Sequence, residues 1–276
     1  MVERHSLGSR LHTGVVGTGA PVIVLHGSAS TGAQWRSLTG CLAGRFRVHT
    51  PDLPGYGLTT PVKGLAATAA AVGALIDRIG GPVHLVGHSW GGAVALKLAS
   101  QRPGDLRSLT VIEPTAFHLL RGERDRPLYA EVMGIGAALN AAAGPRSRAA
   151  AMALFIDYWN GEGAWARTSP RLQAFFLGCF EQVRADFAAI AAETGGLGDL
   201  SRIDCPSLAV MGLDSPAPSL RVTEIVAEAL PRAVLRLIPD AGHLAPLTDP
   251  HLVDPMIRAH LLAADRVVRL APAIAA

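Results

Sequence analysis

Ser89 stands in Leu85-Val86-Gly87-His88-Ser89-Trp90-Gly91-Gly92, a Gly-x-Ser-x-Gly pattern with an apolar run before it and an Ala/Leu-rich stretch after it. A serine hydroxyl becomes a useful nucleophile when a sharp strand-to-helix turn lifts it clear of the backbone and a base takes its proton. Such a turn accepts only small residues two before and two after the serine, and these are Gly87 and Gly91. A helix start beneath the hydroxyl also favours developing negative charge. The chemistry indicated is acyl transfer with Ser89 as nucleophile. In a chain with 30 glycines the bare pattern means little; its strand-turn-helix setting gives it weight.

The proton acceptor must be found among ten histidines. His243 closes Pro239-Asp240-Ala241-Gly242-His243, in the loop between the last strand-like run and the final helix. A loop at the carboxyl end of a strand can reach a neighbouring elbow across the top of a sheet. His88 adjoins Ser89, but the tight turn aims it away. His26 is read as holding its own loop through hydrogen bonds, and His118 as a residue that could touch substrate. His243 is the expected base.

The elements that must position these residues alternate. Apolar runs at Pro21–Leu25, Phe46–Thr50, Val83–Val86, Leu106–Ile112, Ser207–Met211 and Ala233–Ile238 each end at a glycine, a proline or a polar residue. Continuous runs of this length fit parallel strands buried on both faces. Between them lie helical stretches at Leu65–Ile79, Gly91–Gln101, Ser219–Leu230 and His251–Ala264. The pattern predicts an α/β chain with a doubly wound, mostly parallel sheet. From about Thr115 to Leu200 no strand-like run occurs, and most of the aromatic residues fall there. That stretch is expected to be a helical cap inserted after the strand ending at Glu113, so residues 1–114 and 201–276 would form the core and 115–200 the cap.

In this order of motifs the chain resembles the α/β-hydrolase superfamily over nearly its whole length. The resemblance rests on His26-Gly27, Pro51-Asp52-Leu53-Pro54-Gly55-Tyr56-Gly57, the elbow at Ser89 and Gly242-His243. It implies the α/β-hydrolase fold, a base in the loop that holds His243, and a carboxylate to orient that base. Many members carry the acid in Gly-x-x-Asp after the penultimate strand. Here the expected position holds Ser215, and Asp214 comes one residue early. Others, among them haloalkane dehalogenases and certain lactonases, place the acid after the strand that here ends in Glu113. A carboxylate at the end of an apolar strand is costly unless paired, and His243 is a natural partner. Glu113 is therefore chosen as the acid, with Asp214 as the alternative.

Two backbone N–H groups are expected to hold the oxyanion: Trp90, directly after the nucleophile, and Ser28, after His26-Gly27, whose hydroxyl could add a bond. Substrate contacts are expected from His118, Tyr158 and Trp159. The resulting expectation is an esterase- or lactonase-like enzyme acting through an acyl-enzyme on a small to medium, largely apolar molecule, without a cofactor. The alternatives are a ligand-binding receptor on the same scaffold, or a lyase or carbon–carbon bond hydrolase.

Composition removes other classes. The net charge of +3 is spread singly, without a Lys/Arg run, which argues against nucleic acid. No charge-free stretch of about 18 apolar residues is present, so no membrane span is expected. The first ten residues lack an apolar signal-peptide core. Cys41, Cys179 and Cys205 are few and far apart, which suits free thiols in the cytoplasm. Gly14-x-x-Gly17-x-Gly19 precedes a strand instead of following one, unlike a dinucleotide fingerprint. The histidines are too dispersed for a metal site. The oligomeric state is left open.

Overall fold

The computed structural model describes residues 11–270; residues 1–10, including the segment read as lacking a signal-peptide core, and residues 271–276 lie outside it. Seven strands form one sheet: β1 (Thr13–Val16), β2 (Ala20–Leu25), β3 (Phe46–Pro51), β4 (Val83–His88), β5 (Leu106–Ile112), β6 (Ser207–Gly212) and β7 (Ala233–Ile238). Their spatial order is β1-β3-β2-β4-β5-β6-β7. All neighbours are parallel except β1, which pairs antiparallel with β3 from Thr13 opposite Pro51 to Val16 opposite Val48. The six strands expected from sequence are β2 to β7.

Strand β1 was not anticipated. It has four residues and one partner, and Val15 and Val16 are exposed, so it carries little apolar signal. Of the three glycines in Gly14-x-x-Gly17-x-Gly19, Gly14 lies in β1, and Gly17 and Gly19 make its turn into β2. Gly17 has φ +83, and a Cβ there would lie 2.3 Å from the carbonyl oxygen of Phe46.

The helices are α1 (Arg36–Leu42), α2 (Leu65–Ile79), α3 (Trp90–Gln101), α4 (Arg126–Ala141), α5 (Pro145–Asn160), α6 (Ala164–Arg167), α7 (Pro170–Gly178), α8 (Phe180–Ala192), α9 (Leu197–Leu200), α10 (Ala217–Ala229), α11 (Ala245–Thr248) and α12 (Pro250–Leu270). The period-2 alternation of the strands sorts their side chains onto the two faces. Ile23, Leu25, Leu85, Leu109 and Val111 join the core that includes α2, α3 and α10. Val22, Val24, Val86, Ile112 and Val210 join Leu38 and Leu42 of α1 and Val253, Ile257 and Leu261 of α12 on the other face.

Helix α2 ends where Gly80 takes a left-handed conformation and returns its N–H to Ile76 O at 3.0 Å. Helix α12 runs six residues beyond the expected Ala264. Asp265 is held against the sheet by His84 Nε2 at 3.1 Å and Arg107 Nη1 at 3.3 Å, so its charge anchors this end of the helix.

Between β5 and β6 lie α4 to α9 and two short 3₁₀ turns, with no strand. Val132, Leu139, Met152, Phe155, Phe180, Val183 and Phe187 continue the α2/α3 core upward, so these helices sit on the sheet instead of forming a separate hydrophobic centre.

Candidate active site

Four loops leaving the carboxyl ends of β2, β4, β5 and β7 meet above the sheet. Each contains one of the four non-glycine residues with positive φ among the described residues: Ala29 (53°), Ser89 (54°), Glu113 (43°) and Asp240 (55°). Such backbone strain persists only where the surroundings over-determine it, and it concentrates at functional sites.

The elbow is built by close packing. A Cβ on Gly87 would lie 2.3 Å from Gly91 O, and one on Gly91 would lie 2.4 Å from Leu25 O. Any larger residue would push α3 away from β4 and β2. Ser89 donates its N–H to Ile112 O at 2.9 Å, and its carbonyl accepts from Gly92, Ala93 and Thr115. The side chain is thereby presented over the N-terminus of α3, where the helix dipole favours an alkoxide.

Ser89 Oγ lies 3.0 Å from His243 Nε2, and His243 Nδ1 lies 2.7 Å from Glu113 Oε2. These residues are 154 and 130 positions apart in the chain. Glu113 is 1% exposed. Its other oxygen accepts from Gly212 N–H at 2.8 Å and Ser215 Oγ at 2.7 Å. Burial alone would raise this carboxyl. The hydrogen bonds from His243, Ser215 and Gly212, with the charge of His243, hold it below its ordinary value, as an anion.

Asp214 does not reach this centre. It is exposed, and its backbone N–H donates to Ala241 O at 2.9 Å, which fixes the turn after β6. The one-residue shift noted in the sequence turns its carboxylate outward and puts Ser215 beneath Glu113. Of the two candidate acids, Glu113 is the one that meets His243.

A second network supports His243. His88 Nε2–H donates to His243 O at 2.8 Å, and His88 Nδ1 accepts from Gln34 Nε2 at 3.0 Å. Gln34 Oε1 accepts Gly27 N–H at 3.1 Å. Burial drives the His88 imidazole down to about 3 and that of His26 down to about 4, so both are neutral and serve as fixed hydrogen-bonding groups. His26 Nδ1–H donates to Gly27 O at 2.7 Å, and its Nε2 accepts Leu53 N–H at 2.9 Å, which joins the loops after β2 and β3.

The Ser28 and Trp90 backbone N–H groups have no protein acceptor among the described residues, as groups awaiting an oxyanion would. The Ser28 hydroxyl is committed elsewhere. It donates to Asp186 Oδ2 at 2.5 Å, which corrects the expectation that it would add a bond to substrate. Trp90 is buried in the core that the inserted helices share.

A cavity of about 430 Å³ opens on Ser89 and His243. Among the described residues its walls contain no Asp, Glu, Lys or Arg. Trp159 lies over the His243 ring, with centroids 4.2 Å apart and planes 31° apart. Phe155, Phe175, Phe176 and Phe187 supply much of the remaining surface. Two expected substrate contacts lie outside it. Tyr158 adjoins Trp159 on α5, and successive helical side chains diverge by about 100°; its hydroxyl donates to Glu131 Oε1 at 2.8 Å on an exposed face. His118 faces a separate small cavity beside Lys97 and Glu193, in the turn after β5.

Sequence reasoning missed Gln34, Ser215 and Asp186. Ser215 sat at the family's acid position. Asp186 is the single acid in Ala185-Asp186-Phe187-Ala188-Ala189-Ile190. Gln34 left no sequence signal.

The model of the alpha/beta hydrolase family matches residues 22–255, and the chain belongs to that family. A pimeloyl-[acyl-carrier protein] methyl ester esterase from Aeromonas salmonicida is 28% identical over 253 residues, covering 88% of this chain and 95% of the relative. Its namesake from Aeromonas hydrophila is 37% identical over 112 residues, 39% of this chain; there the match spans only 42% of the relative's length. In fold, the chain is similar to a hydrolase from Pseudomonas aeruginosa PA01, with a TM-score of 0.75 and 22% identity over 91% of this chain and 94% of that one.

Proposed function

We propose that the chain is a serine hydrolase that cleaves a carboxylic ester or lactone of a small to medium, largely apolar substrate through an acyl-enzyme. The observation that carries this is the unbroken line from Ser89 Oγ through His243 to the buried Glu113 anion, at 3.0 and 2.7 Å, facing an uncharged cavity. Relatives named as methyl ester esterases support the bond class. In the first step His243 Nε2 takes the Ser89 proton as Oγ attacks the carbonyl carbon. The Ser28 and Trp90 amides receive the oxyanion, and His243 returns the proton to the departing alkoxide. A water, deprotonated by the same nitrogen, then attacks the acyl-enzyme, and the acid leaves as Ser89 is reprotonated. Glu113 holds the ring in the tautomer that leaves Nε2 free to accept.

Residues 115–200 act in this proposal as a cap that supplies the apolar wall of the cavity. Among the described residues no helix is long and apolar enough to cross a membrane. Cys41, Cys179 and Cys205 are free thiols.

The test is labelling with a fluorophosphonate alongside turnover of p-nitrophenyl esters. The wild type is expected to be labelled at Ser89 and to turn over repeatedly. Ser89→Ala should abolish labelling and lower kcat by about 10⁴-fold or more. Unlabelled wild-type protein, or a single turnover without a steady state, would overturn the proposal; the latter would point to a receptor.

A further inference from the structure

Asp186, on α8, is 1% exposed and touches neither Ser89 nor His243. Its Oδ2 accepts two hydroxyl protons, from Ser28 Oγ at 2.5 Å and Tyr56 OH at 2.5 Å. Its Oδ1 accepts from Gln182 Nε2 at 2.9 Å. Among the described residues it has no ion-pair partner. A buried carboxyl without a counter-charge is expensive, and a hydrophobic side chain of similar size would fill the space at lower cost. Burial pushes this carboxyl up to about 7, against the pull of its three hydrogen bonds. The placement of its partners offers a reason for keeping it. Ser28 follows β2, Tyr56 follows β3, and Gln182 lies one turn earlier on α8, so a single carboxyl gathers two core loops onto an inserted helix.

Ser28 is also where the oxyanion amide sits. The backbone there is not self-supporting, because the next residue, Ala29, has φ 53° without being a glycine. On its upstream side the loop is held by Gly27 N–H on Gln34, and further on by Gly32 N–H on Asp52 Oδ1 at 2.9 Å. Between those points two side chains hold the loop, the Ser28 hydroxyl and the Tyr56 hydroxyl, which the Ala29 backbone N–H meets; both hydroxyls end on Asp186 Oδ2. The next residue along α8, Phe187, lines the cavity.

We propose that Asp186 is a positioning residue that fixes the oxyanion amide of Ser28, so that seating of the inserted helices and completion of the oxyanion hole are one event. This rests on the serine-hydrolase function proposed above. The carboxyl touches no reacting atom; it acts through the Ser28 side chain on the Ser28 N–H. Its loss should therefore weaken transition-state stabilisation more than substrate binding.

The experiment is p-nitrophenyl ester kinetics on Ser28→Ala, Asp186→Ala, Asp186→Asn and the double variant Ser28→Ala/Asp186→Ala, with thermal melting in parallel. Asp186→Ala is expected to lower kcat by about 10- to 100-fold and to change KM by less than about threefold. Ser28→Ala should lose kcat to a similar extent, and the double variant should be no slower than the slower single one. Asp186→Asn keeps an oxygen for both hydroxyls, so it should recover most of the loss. Wild-type kcat in Ser28→Ala would overturn the proposal, whether or not Asp186→Ala folds. Losses that multiply in the double variant, or that fall on KM alone, would overturn it too. Absence of labelling and turnover in the wild type would sink the serine-hydrolase function instead, which keeps the two failures apart.

Discussion

The loops at the carboxyl ends of the strands and helix α7 above them face the same cavity but are held by opposite means. In the loops Ser89, Glu113 and His243 are each at most 7% exposed; backbone groups from neighbouring strands fix Ser89 and Glu113, and the His88 and Glu113 side chains fix His243. Helix α7 contains no buried residue, and Leu172 and Phe175, which line the cavity, are 43% and 41% exposed. Its N-terminus is set by Ser169 Oγ on Leu172 N–H at 3.4 Å and by Pro170 at the first position. The difference teaches a division of labour. The groups proposed to break the bond are over-determined by the sheet, whereas α7, part of the apolar wall proposed to meet the substrate, carries few constraints and is open to change without disturbing them.

That contrast is most exposed to failure at Glu113. Glu113→Gln is expected to cut kcat by about 10³- to 10⁴-fold, because an amide in place of the carboxylate favours the wrong imidazole tautomer. Asp214→Asn should stay within about twofold of the wild type. Steady-state kinetics on the pair decide it: a large loss from Asp214→Asn with a mild one from Glu113→Gln would reverse the assignment of the acid.

A second expected outcome concerns stability. Burial lowers the imidazoles of His26, His84 and His118 from 6.5 to about 4, and that of His88 to about 3. They stay neutral in the fold at a pH where the unfolded chain binds protons. Unfolding therefore takes up protons below pH 6.5, and stability falls as the pH drops from there towards 4. Asp186 acts in the other direction. Raised from 3.8 to about 7, it retains a proton that the unfolded chain releases, so its contribution is present in acid and lost as the pH rises through 7. Four imidazoles outweigh one carboxyl, and Asp186→Asn should make the acid fall steeper. Urea unfolding between pH 8 and pH 4.5 checks both signs; a flat profile would show that these imidazoles titrate normally.

The smallest effects belong to α7. Phe175→Ala is expected to raise KM for longer acyl esters several-fold, while unfolding free energy moves by less than about 0.5 kcal/mol, as for an exposed site. A large loss of stability would mean that α7 is as tightly built in as the elbow.

What the sequence made legible follows from how each feature is enforced. The elbow could be read because its steric demand falls on backbone neighbours and leaves glycines at fixed offsets. Glu113 could be read because an acid ending an apolar strand is anomalous locally. The six parallel strands showed as continuous apolar runs because both faces are covered. Ser215, Gln34 and Asp186 act only across space; Ser28 and Asp186 are 158 residues apart, and no local anomaly marks such a pair. His118 and Tyr158 were misplaced for a related reason. Composition shows that a segment holds aromatics, but only the angular phase of each helix on the sheet decides which of them face inward.

Gln34 carries a consequence of another kind. Its carboxamide has one orientation that serves both Gly27 and His88, since the oxygen must face the amide and the nitrogen the imidazole. Conversion of that side chain to glutamate, the outcome of spontaneous deamidation, would remove the NH₂ and oblige His88 to carry its hydrogen on Nδ1. A lone pair on Nε2 would then oppose the carbonyl of His243. A change of one atom, chemical ageing without any substitution in the gene, would thus reach the backbone of the base through an inverted ring. Nitrogen-15 shifts of the His88 imidazole in Gln34→Glu would register the inversion directly.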